Sequence, residues 1–287
     1  MASEHWPGPL NPMKNQLKRY GSWALVTGAS SGIGREFVRQ LAAEGMSVIL
    51  VARRHDLLAD LAREICREFN VEARPVERDL LADGAAEQLH ADFSGYDVGL
   101  VVMCAGVENT GHFTKLPLQR HADLLRLNAD VPMRMARLFG ETMIRRRRGA
   151  LIFVSSLLGY QGVPVLANYA ASKAYILALG EALHIEMKPL GVDVLALSPG
   201  LTDTAMPARM PVDMRKMPMP KLSPVRVVRV ALAALGRKAS VVPGFVNTFF
   251  AFENRLVPRI WPVQLFGRLM VNAITPDNRN EILHTKP

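Results

Sequence analysis

Seven short apolar runs recur along the chain, separated by segments of helical length and period, and this alternation limits the fold more than any other feature. The runs are Trp23–Thr27, Val48–Val51, Ala73–Val76, Val98–Met103, Ala150–Ser155, Asp193–Ser198 and Ser240–Val242. Amphipathic segments lie between them, near 33–44, 55–69, 82–93, 119–147, 168–188 and 223–236. Strands joined through helices do not pair as hairpins; each crossover brings the chain back in the same direction, so the sheet is mostly parallel. Such a sheet carries helices on both faces, and strands buried on both faces read as near-continuous apolar runs, as these do. The expectation is an α/β fold with a doubly wound, seven-stranded, mostly parallel sheet. Gly45 and Gly149 read as helix stops, the first after the opening helix and the second after an arginine run.

Residues 1–20 read as an N-terminal arm with three prolines and no period, 21–243 as the main domain, and 244–287 as a C-terminal amphipathic helical extension. Two segments depart from the rhythm. The stretch 204–224 is rich in Pro and Met and follows the sixth run, where open α/β sheets bind ligands. Methionine adapts to irregular apolar shapes, so this stretch reads as a mobile substrate lid, with a plain connecting loop as the alternative. The stretch 244–270 mixes aromatics and leucines with spaced arginines. It reads as a helix pair packed on the domain or on a second subunit; the alternative is peripheral membrane contact through an interfacial helix.

The chain carries a formal charge of +9. Its densest basic run, Arg145–Arg148, ends a helical pattern, where cations suit the helix dipole; docking of an acidic carrier or a membrane is the other reading. No zinc-finger spacing or RNA-binding signature accompanies the charge, so nucleic acid is not an expected partner. The two cysteines, Cys66 and Cys104, have neither metal-ligand spacing nor a disulfide framework, so no metal is expected and a cytoplasmic, reducing compartment fits best. No secretory signal and no membrane span are expected: the N-terminus has no apolar core, and no stretch of about 18 charge-free apolar residues exists.

The first apolar run leads straight into TGASSGIG, residues 27–34. Glycines at 28, 32 and 34 permit a tight turn and close backbone approach, and the helix that follows offers free N–H groups to a pyrophosphate. Gly28, Ser30, Ser31, Gly32, Ile33 and Gly34 are therefore candidate cofactor contacts in a Rossmann-like domain. At the end of the second run, where NAD-binding folds place an acid on the ribose, this chain has Arg53 and Arg54. Guanidinium groups bind a 2′-phosphate that a carboxylate repels, which predicts NADP(H) rather than NAD(H).

Tyr169 and Lys173 stand four apart at the start of a helix and so share a face. A nearby ammonium and an oxidised nicotinamide ring favour the phenolate of a tyrosine that is otherwise a poor acid–base group at neutral pH. Ser156 ends the strand thirteen residues earlier and is placed to bond a substrate oxygen; Ser155, its neighbour, turns to the opposite face.

With these motifs the chain resembles the NADP-dependent type of the short-chain dehydrogenase/reductase family over about residues 21 to 242. The resemblance implies that Thr27 to Gly34 hold the cofactor phosphates, that Asp79 meets the adenine amine with Leu80 beside it, and that Ala105 and Gly106 line the cofactor site. It implies that Pro199 and Gly200 lie beside the nicotinamide, with Thr202 or Thr204 near its carboxamide and phosphates. Asn128, Ser156, Tyr169 and Lys173 match the catalytic set: Tyr169 as acid or base, Ser156 orienting the substrate oxygen, Lys173 on the ribose and also lowering the tyrosine pKa, and Asn128 holding a relay water by its backbone. Cys104 departs from the family, which has an asparagine before A-G; that residue largely braces the sheet, and Cys104 reads as a small buried hydrophobe.

The implied activity is hydride transfer between NADP(H) and a carbonyl or secondary alcohol. The Met-rich lid and aromatic extension favour a lipophilic ketone or 3-oxoacyl substrate, reduced. The alternatives are a secondary-alcohol dehydrogenase, steroid-like or biosynthetic, and a non-catalytic NADP(H)-sensing regulator. The resemblance further implies a homodimer or homotetramer built on the helices near 119–147 and 168–188.

Overall fold

The computed structural model describes residues 16–208, 210–253, 256–275, 277, 278 and 282. Most of the expected N-terminal arm, 1–15, lies outside the described residues. The strands are β1 (Trp23–Thr27), β2 (Ser47–Ala52), β3 (Ala73–Glu77), β4 (Val98–Met103), β5 (Gly149–Val154), β6 (Val192–Leu197) and β7 (Ser240–Val241). They form a seven-stranded sheet in the order β3-β2-β1-β4-β5-β6-β7, parallel at every pairing. The helices are α1 (Gly32–Ala43), α2 (His55–Phe69), α3 (Ala85–Asp92), α4 (Leu118–Leu125), α5 (Val131–Arg146), α6 (Ala167–Met187), α7 (Ala205–Ala208), α8 (Pro224–Ala234), α9 (Phe245–Phe252) and α10 (Ile260–Ala273).

Alternation along the strands divides the core. Ala24, Val26, Val48 and Leu50 pack toward α1, α2 and α8, while Leu25, Ile49 and Val51 pack toward α3, α5 and α6. Burial on both faces explains why the strands read as continuous apolar runs. The chain order reverses between β1 and β4, which opens a crevice at their carboxyl ends.

Three local expectations change. The helix read over 119–147 is split: a π turn at Arg126–Asp130 joins α4 to α5, with Val131 N–H bonded to the Arg126 carbonyl. Gly149 does not stop α5. Arg147 does so in the left-handed region at φ 53°, and Gly149 instead opens β5, where a Cβ would fall 2.4 Å from Met143 Cγ. The arm also ends inside the fold, because Leu17 and Tyr20 are buried and the Tyr20 hydroxyl donates to Asp193 at 2.6 Å.

The arginine run is engaged within the domain. Arg146 and Arg148 meet Asp97 at 3.2 and 2.9 Å, Arg145 meets Glu141 at 2.9 Å, and Arg147 donates to the Pro189 carbonyl. These bonds favour the helix-end reading over an acidic docking site. The segment 204–224 is tied down at two points, by a bridge between Thr202 and Leu222 and by another between Val212 and Ile274. It therefore packs with the extension rather than hanging free. Ala251, Phe266, Met270 and Ala273 of the extension share a small core with Val212, Met217 and Met219.

Candidate active site

β1 ends at Thr27, and the chain then turns through Gly28 (φ 69°) and Gly32 (φ 56°) into α1. Both glycines occupy the left-handed region that a side chain resists. Gly34 serves by close approach instead: a Cβ there would lie 2.3 Å from the Gly28 carbonyl oxygen. The first turn of α1 thus sits against the loop with its N–H groups facing the crevice side of the sheet. Arg54, at the end of β2, donates to Ser30 Oγ at 2.8 Å and to Ser31 Oγ at 3.2 Å. The fit to a phosphorylated dinucleotide rests on this cradle: glycines without room for a Cβ, a helix N-terminus, and a guanidinium clustered with two hydroxyls.

Of the residues expected to contact the cofactor, all but Thr27 and Ala29 line one cavity of about 600 Å³; those two are buried. Gly28, Ser30, Ser31, Gly32, Ile33, Gly34, Arg53 and Arg54 form one end, with Asp79 and Leu80 beside them. Ala105, Gly106, Pro199, Gly200, Thr202 and Thr204 lie along its length, and Ser156, Tyr169 and Lys173 bound its far part. Thr204 leans over the glycine loop, its Cγ2 3.0 Å from where a Gly32 Cβ would stand. Ser155 also touches the cavity, but its hydroxyl is spent on the Lys173 carbonyl at 2.7 Å.

Asn128 lies behind this wall, almost wholly buried in the π turn. Its side chain brackets the backbone of one residue: Oδ1 accepts from Val107 N–H at 2.9 Å, and Nδ2 donates to the Val107 carbonyl at 2.8 Å. A widened turn leaves backbone carbonyls without their usual partner, which suits the relay role implied for this residue. Gly106 lets the groups converge, because a Cβ there would lie 3.1 Å from Asn128 Oδ1 and 3.4 Å from Lys173 Nζ.

Lys173 Nζ donates to the Val154 carbonyl at 2.9 Å and stands 5.7 Å from the centroid of the Tyr169 ring. Burial lowers the Lys173 pKa to about 8. Burial pushes the Tyr169 hydroxyl up to about 12; a hydrogen bond with Ser156 opposes the rise, and the Glu108 carboxylate adds to it. In the protein without its cofactor, loss of water therefore sets the direction of the Tyr169 shift. Cys104 is half-buried and lines the cavity rather than lying in the core as read; loss of water still pushes its thiol up to about 12, which keeps it protonated. Thr27 Oγ1 accepts from both Cys104 N–H and Ala105 N–H at 3.0 Å, which ties the end of β1 to the end of β4 through the backbone.

The part of the cavity beyond Tyr169 is apolar, walled by Leu157, Leu158, Leu166, Met210, Met217 and Met270. Met270 reaches it from α10, so the extension helps to enclose the site. Sequence reading missed this residue, and it missed Glu108 and Arg78, which also line the cavity. Arg78 is held by Gln88 at 2.7 Å and Asp92 at 2.8 Å.

A family model for short chain dehydrogenases matches residues 22–214. A 7beta-hydroxysteroid dehydrogenase of Collinsella aerofaciens is 33% identical over 236 residues, 81% of this chain and 90% of that protein. A very-long-chain 3-oxoacyl-CoA reductase of Rattus norvegicus is 28% identical over 245 residues, 84% of this chain and 77% of that protein. Among solved structures, a short-chain dehydrogenase from Sphingobium yanoikuyae in complex with NADPH superposes with a TM-score of 0.73 at 25% identity, covering 82% of this chain and 93% of that one.

Proposed function

The chain belongs to the short-chain dehydrogenase family and is an oxidoreductase; on that premise we propose that it reduces a lipophilic ketone with NADP(H). The observation that carries this reading is the junction inside the cavity, where Tyr169 and Ser156 adjoin a wall of methionines and leucines. A reacting carbonyl there has a proton donor beside it and apolar surface around the rest of the molecule. The similar hydroxysteroid dehydrogenase and 3-oxoacyl-CoA reductase suggest a sterol-like or long-acyl ketone.

In this reading Arg53, Arg54 and Ser30 hold the 2′-phosphate, and the α1 N-terminus holds the pyrophosphate. Asp79 and Leu80 bound the adenine, while Pro199, Gly200, Thr202 and Thr204 lie along the nicotinamide half. The cofactor, when bound, supplies the hydride. Tyr169 gives its proton to the substrate oxygen as the carbonyl becomes an alcohol, and takes it back in the reverse direction. Its high pKa in the unliganded protein keeps that proton in place at neutral pH. Ser156 orients the same oxygen, Lys173 bonds the ribose, and Asn128 fixes the loop that carries Val107. A secondary-alcohol dehydrogenase would use the same groups in the opposite direction. A sensor without turnover would not need Tyr169, Lys173 and Ser156 gathered at one cavity.

The test is NADPH consumption across a panel of apolar ketones, ketosteroids and 3-oxoacyl thioesters. At least one apolar ketone is expected to turn over with a preference for NADPH over NADH. Turnover confined to small polar carbonyls, or none at all, overturns the reading.

We also propose that the outer face of the extension rests on a lipid surface. Phe245, Phe249 and Phe252 are spaced along one side of α9 and exposed, as are Ile260, Trp261 and Leu265 on α10. Exposed aromatic and aliphatic side chains gathered in this way mark an interaction surface. Exposed Arg259 and Arg268 flank it and complement anionic headgroups. No helix among the described residues is long and apolar enough to cross a membrane. For self-association, which we propose by resemblance, Leu118, Leu125, Tyr175 and Ile185 on α4 and α6 offer a separate exposed apolar surface.

A further inference from the structure

Resting on the reading of the cavity as a site for a lipophilic ketone, we propose that Glu108 is a specificity residue that accepts a hydrogen bond from a hydroxyl carried elsewhere on the substrate. Glu108 follows β4 directly after Val107, the residue whose backbone Asn128 brackets at 2.9 and 2.8 Å, so its backbone is fixed by the same residue that underpins the active site. Its side chain lines the cavity together with Tyr169, Leu158 and Leu166. An acid in such a wall is out of keeping with its surroundings. A carboxylate offers about four acceptor positions. The Thr110 hydroxyl bonds Oε2 at 2.5 Å and the Thr110 backbone also donates, which leaves acceptor capacity unspent. No described cation forms an ion pair with Glu108. Burial accordingly pushes its carboxyl above the ordinary range.

A neutral Asn or Ser would serve the Thr110 turn without burying a charge. What a carboxylate adds is a strong acceptor for a donor arriving from the cavity. The remaining wall is methionine and leucine, so the donor belongs to an uncharged lipophile, and a hydroxyl is the group that fits. The substrate class is thereby narrowed from apolar ketones to hydroxylated ones. A site that bonds a substrate hydroxyl discriminates against the analogue without it, because the buried acceptor is then left unpaired.

The experiment uses full-length protein, NADPH, and a set of ketosteroids each bearing a single hydroxyl at a different ring position, with the parent ketone lacking it. KM and kcat are measured for wild type, E108L and E108Q, with NADPH affinity and thermal midpoint as checks on folding. Wild type is expected to favour at least one hydroxylated isomer over the parent by about tenfold or more in kcat/KM, mainly through KM. E108L should erase most of that ratio, and E108Q, which keeps a neutral acceptor, should retain part of it. A wild type that favours no isomer by more than about threefold overturns the proposal. So does an E108L that lowers isomer and parent equally through kcat, because Glu108 would then act on Tyr169 and not on the substrate. If E108L does not fold, the E108Q ratio decides alone: a ratio equal to that of wild type overturns the proposal. If wild type reduces no ketone of the set or of the wider panel, the reductase reading fails and the proposal falls with it. Turnover of the parent without preference among isomers separates the two failures.

Discussion

The ammonium of Lys173 lies 5.7 Å from the Tyr169 ring centroid and is held there by the Val154 carbonyl, 2.9 Å from Nζ. Both groups are deprived of water, and their pKa values move apart, Lys173 down to about 8 and Tyr169 up to about 12. The neutral tyrosine is therefore the resting form, and the lysine titrates in an accessible range.

Stability should record that titration. The folded Lys173 value, about 8, lies below its ordinary 10.5, so between these pH values the unfolded chain binds the extra proton. Stability then rises with pH through the window, and below it the full cost of the buried ammonium is present. Tyr169 acts with opposite sign, but only above its ordinary value of 10. Between pH 8 and 10, denaturant melts of the unliganded protein should show wild type gaining on Lys173→Met by on the order of 2 kcal/mol. Parallel curves for the two proteins would contradict the assignment.

Tyr169→Phe keeps the ring and removes the proton. Turnover of any active ketone should fall by about 10²–10⁴-fold, the usual contribution of an acid–base group. NADPH affinity, followed by fluorescence titration, should change little. A variant that keeps more than roughly a tenth of the rate would remove Tyr169 from the mechanism.

Arg54 bonds two hydroxyls of the glycine loop, at 2.8 and 3.2 Å, and so stands where a 2′-phosphate would meet it. Arg54→Ala should weaken NADPH by about 10- to 100-fold, the range for hydrogen bonds to charged groups. NADH, which lacks the phosphate, should bind as before. Equal losses for both cofactors would mean that the guanidinium only supports the loop.

What the sequence disclosed follows from the range of the interactions. Strands buried on both faces must be apolar throughout, which made β1, β2, β4, β5 and β6 legible within a residue or two, as was the helix carrying Tyr169 and Lys173; β3, exposed at Arg74, Pro75 and Glu77, and the two-residue β7 were legible from their place in the alternation. Ser156 and the glycine loop were legible because each sits at the carboxyl end of a strand, where topology alone points it into the crevice. The π turn at Arg126–Asp130 was not, because its apolar period continues that of the flanking helices. Nor was the bond from Cys104 N–H to Thr27, which spans 77 positions and depends on two strands being neighbours. Met270 and Glu108 became visible only when the extension and the β4 loop were seen to border one cavity.

The glycine cradle allows a controlled test of fit. A Cβ at Gly34 would lie 2.3 Å from the Gly28 carbonyl oxygen and 2.8 Å from its carbon, both backbone atoms that cannot move without opening the turn. Gly34→Ala should cost about 1–3 kcal/mol, as overpacking does, and should weaken NADPH binding as well. Gly95 has nothing within 4 Å of its added Cβ and is the matched control. Calorimetric midpoints that fall equally for both variants would show that the close approach of α1 to the loop is unimportant.

The outer face of the extension yields the last expectation. Phe249 and Trp261 are 60% and 59% exposed, so replacing both by Ser should leave the fold intact. Their opposite neighbours Ala251 and Phe266 remain in the small core that encloses the cavity. Burying each ring in a lipid interface would contribute about 2 kcal/mol, so losing both should abolish measurable binding. Wild type should co-sediment with vesicles containing anionic phospholipid, less so at high salt, because the headgroup attraction to Arg259 and Arg268 is screened. The double variant should stay in the supernatant at every salt concentration while its NADPH affinity is unchanged. Sedimentation velocity on both proteins without lipid separates the alternative: if the double substitution instead dissociates an oligomer, this face is a subunit contact and the lipid reading is wrong.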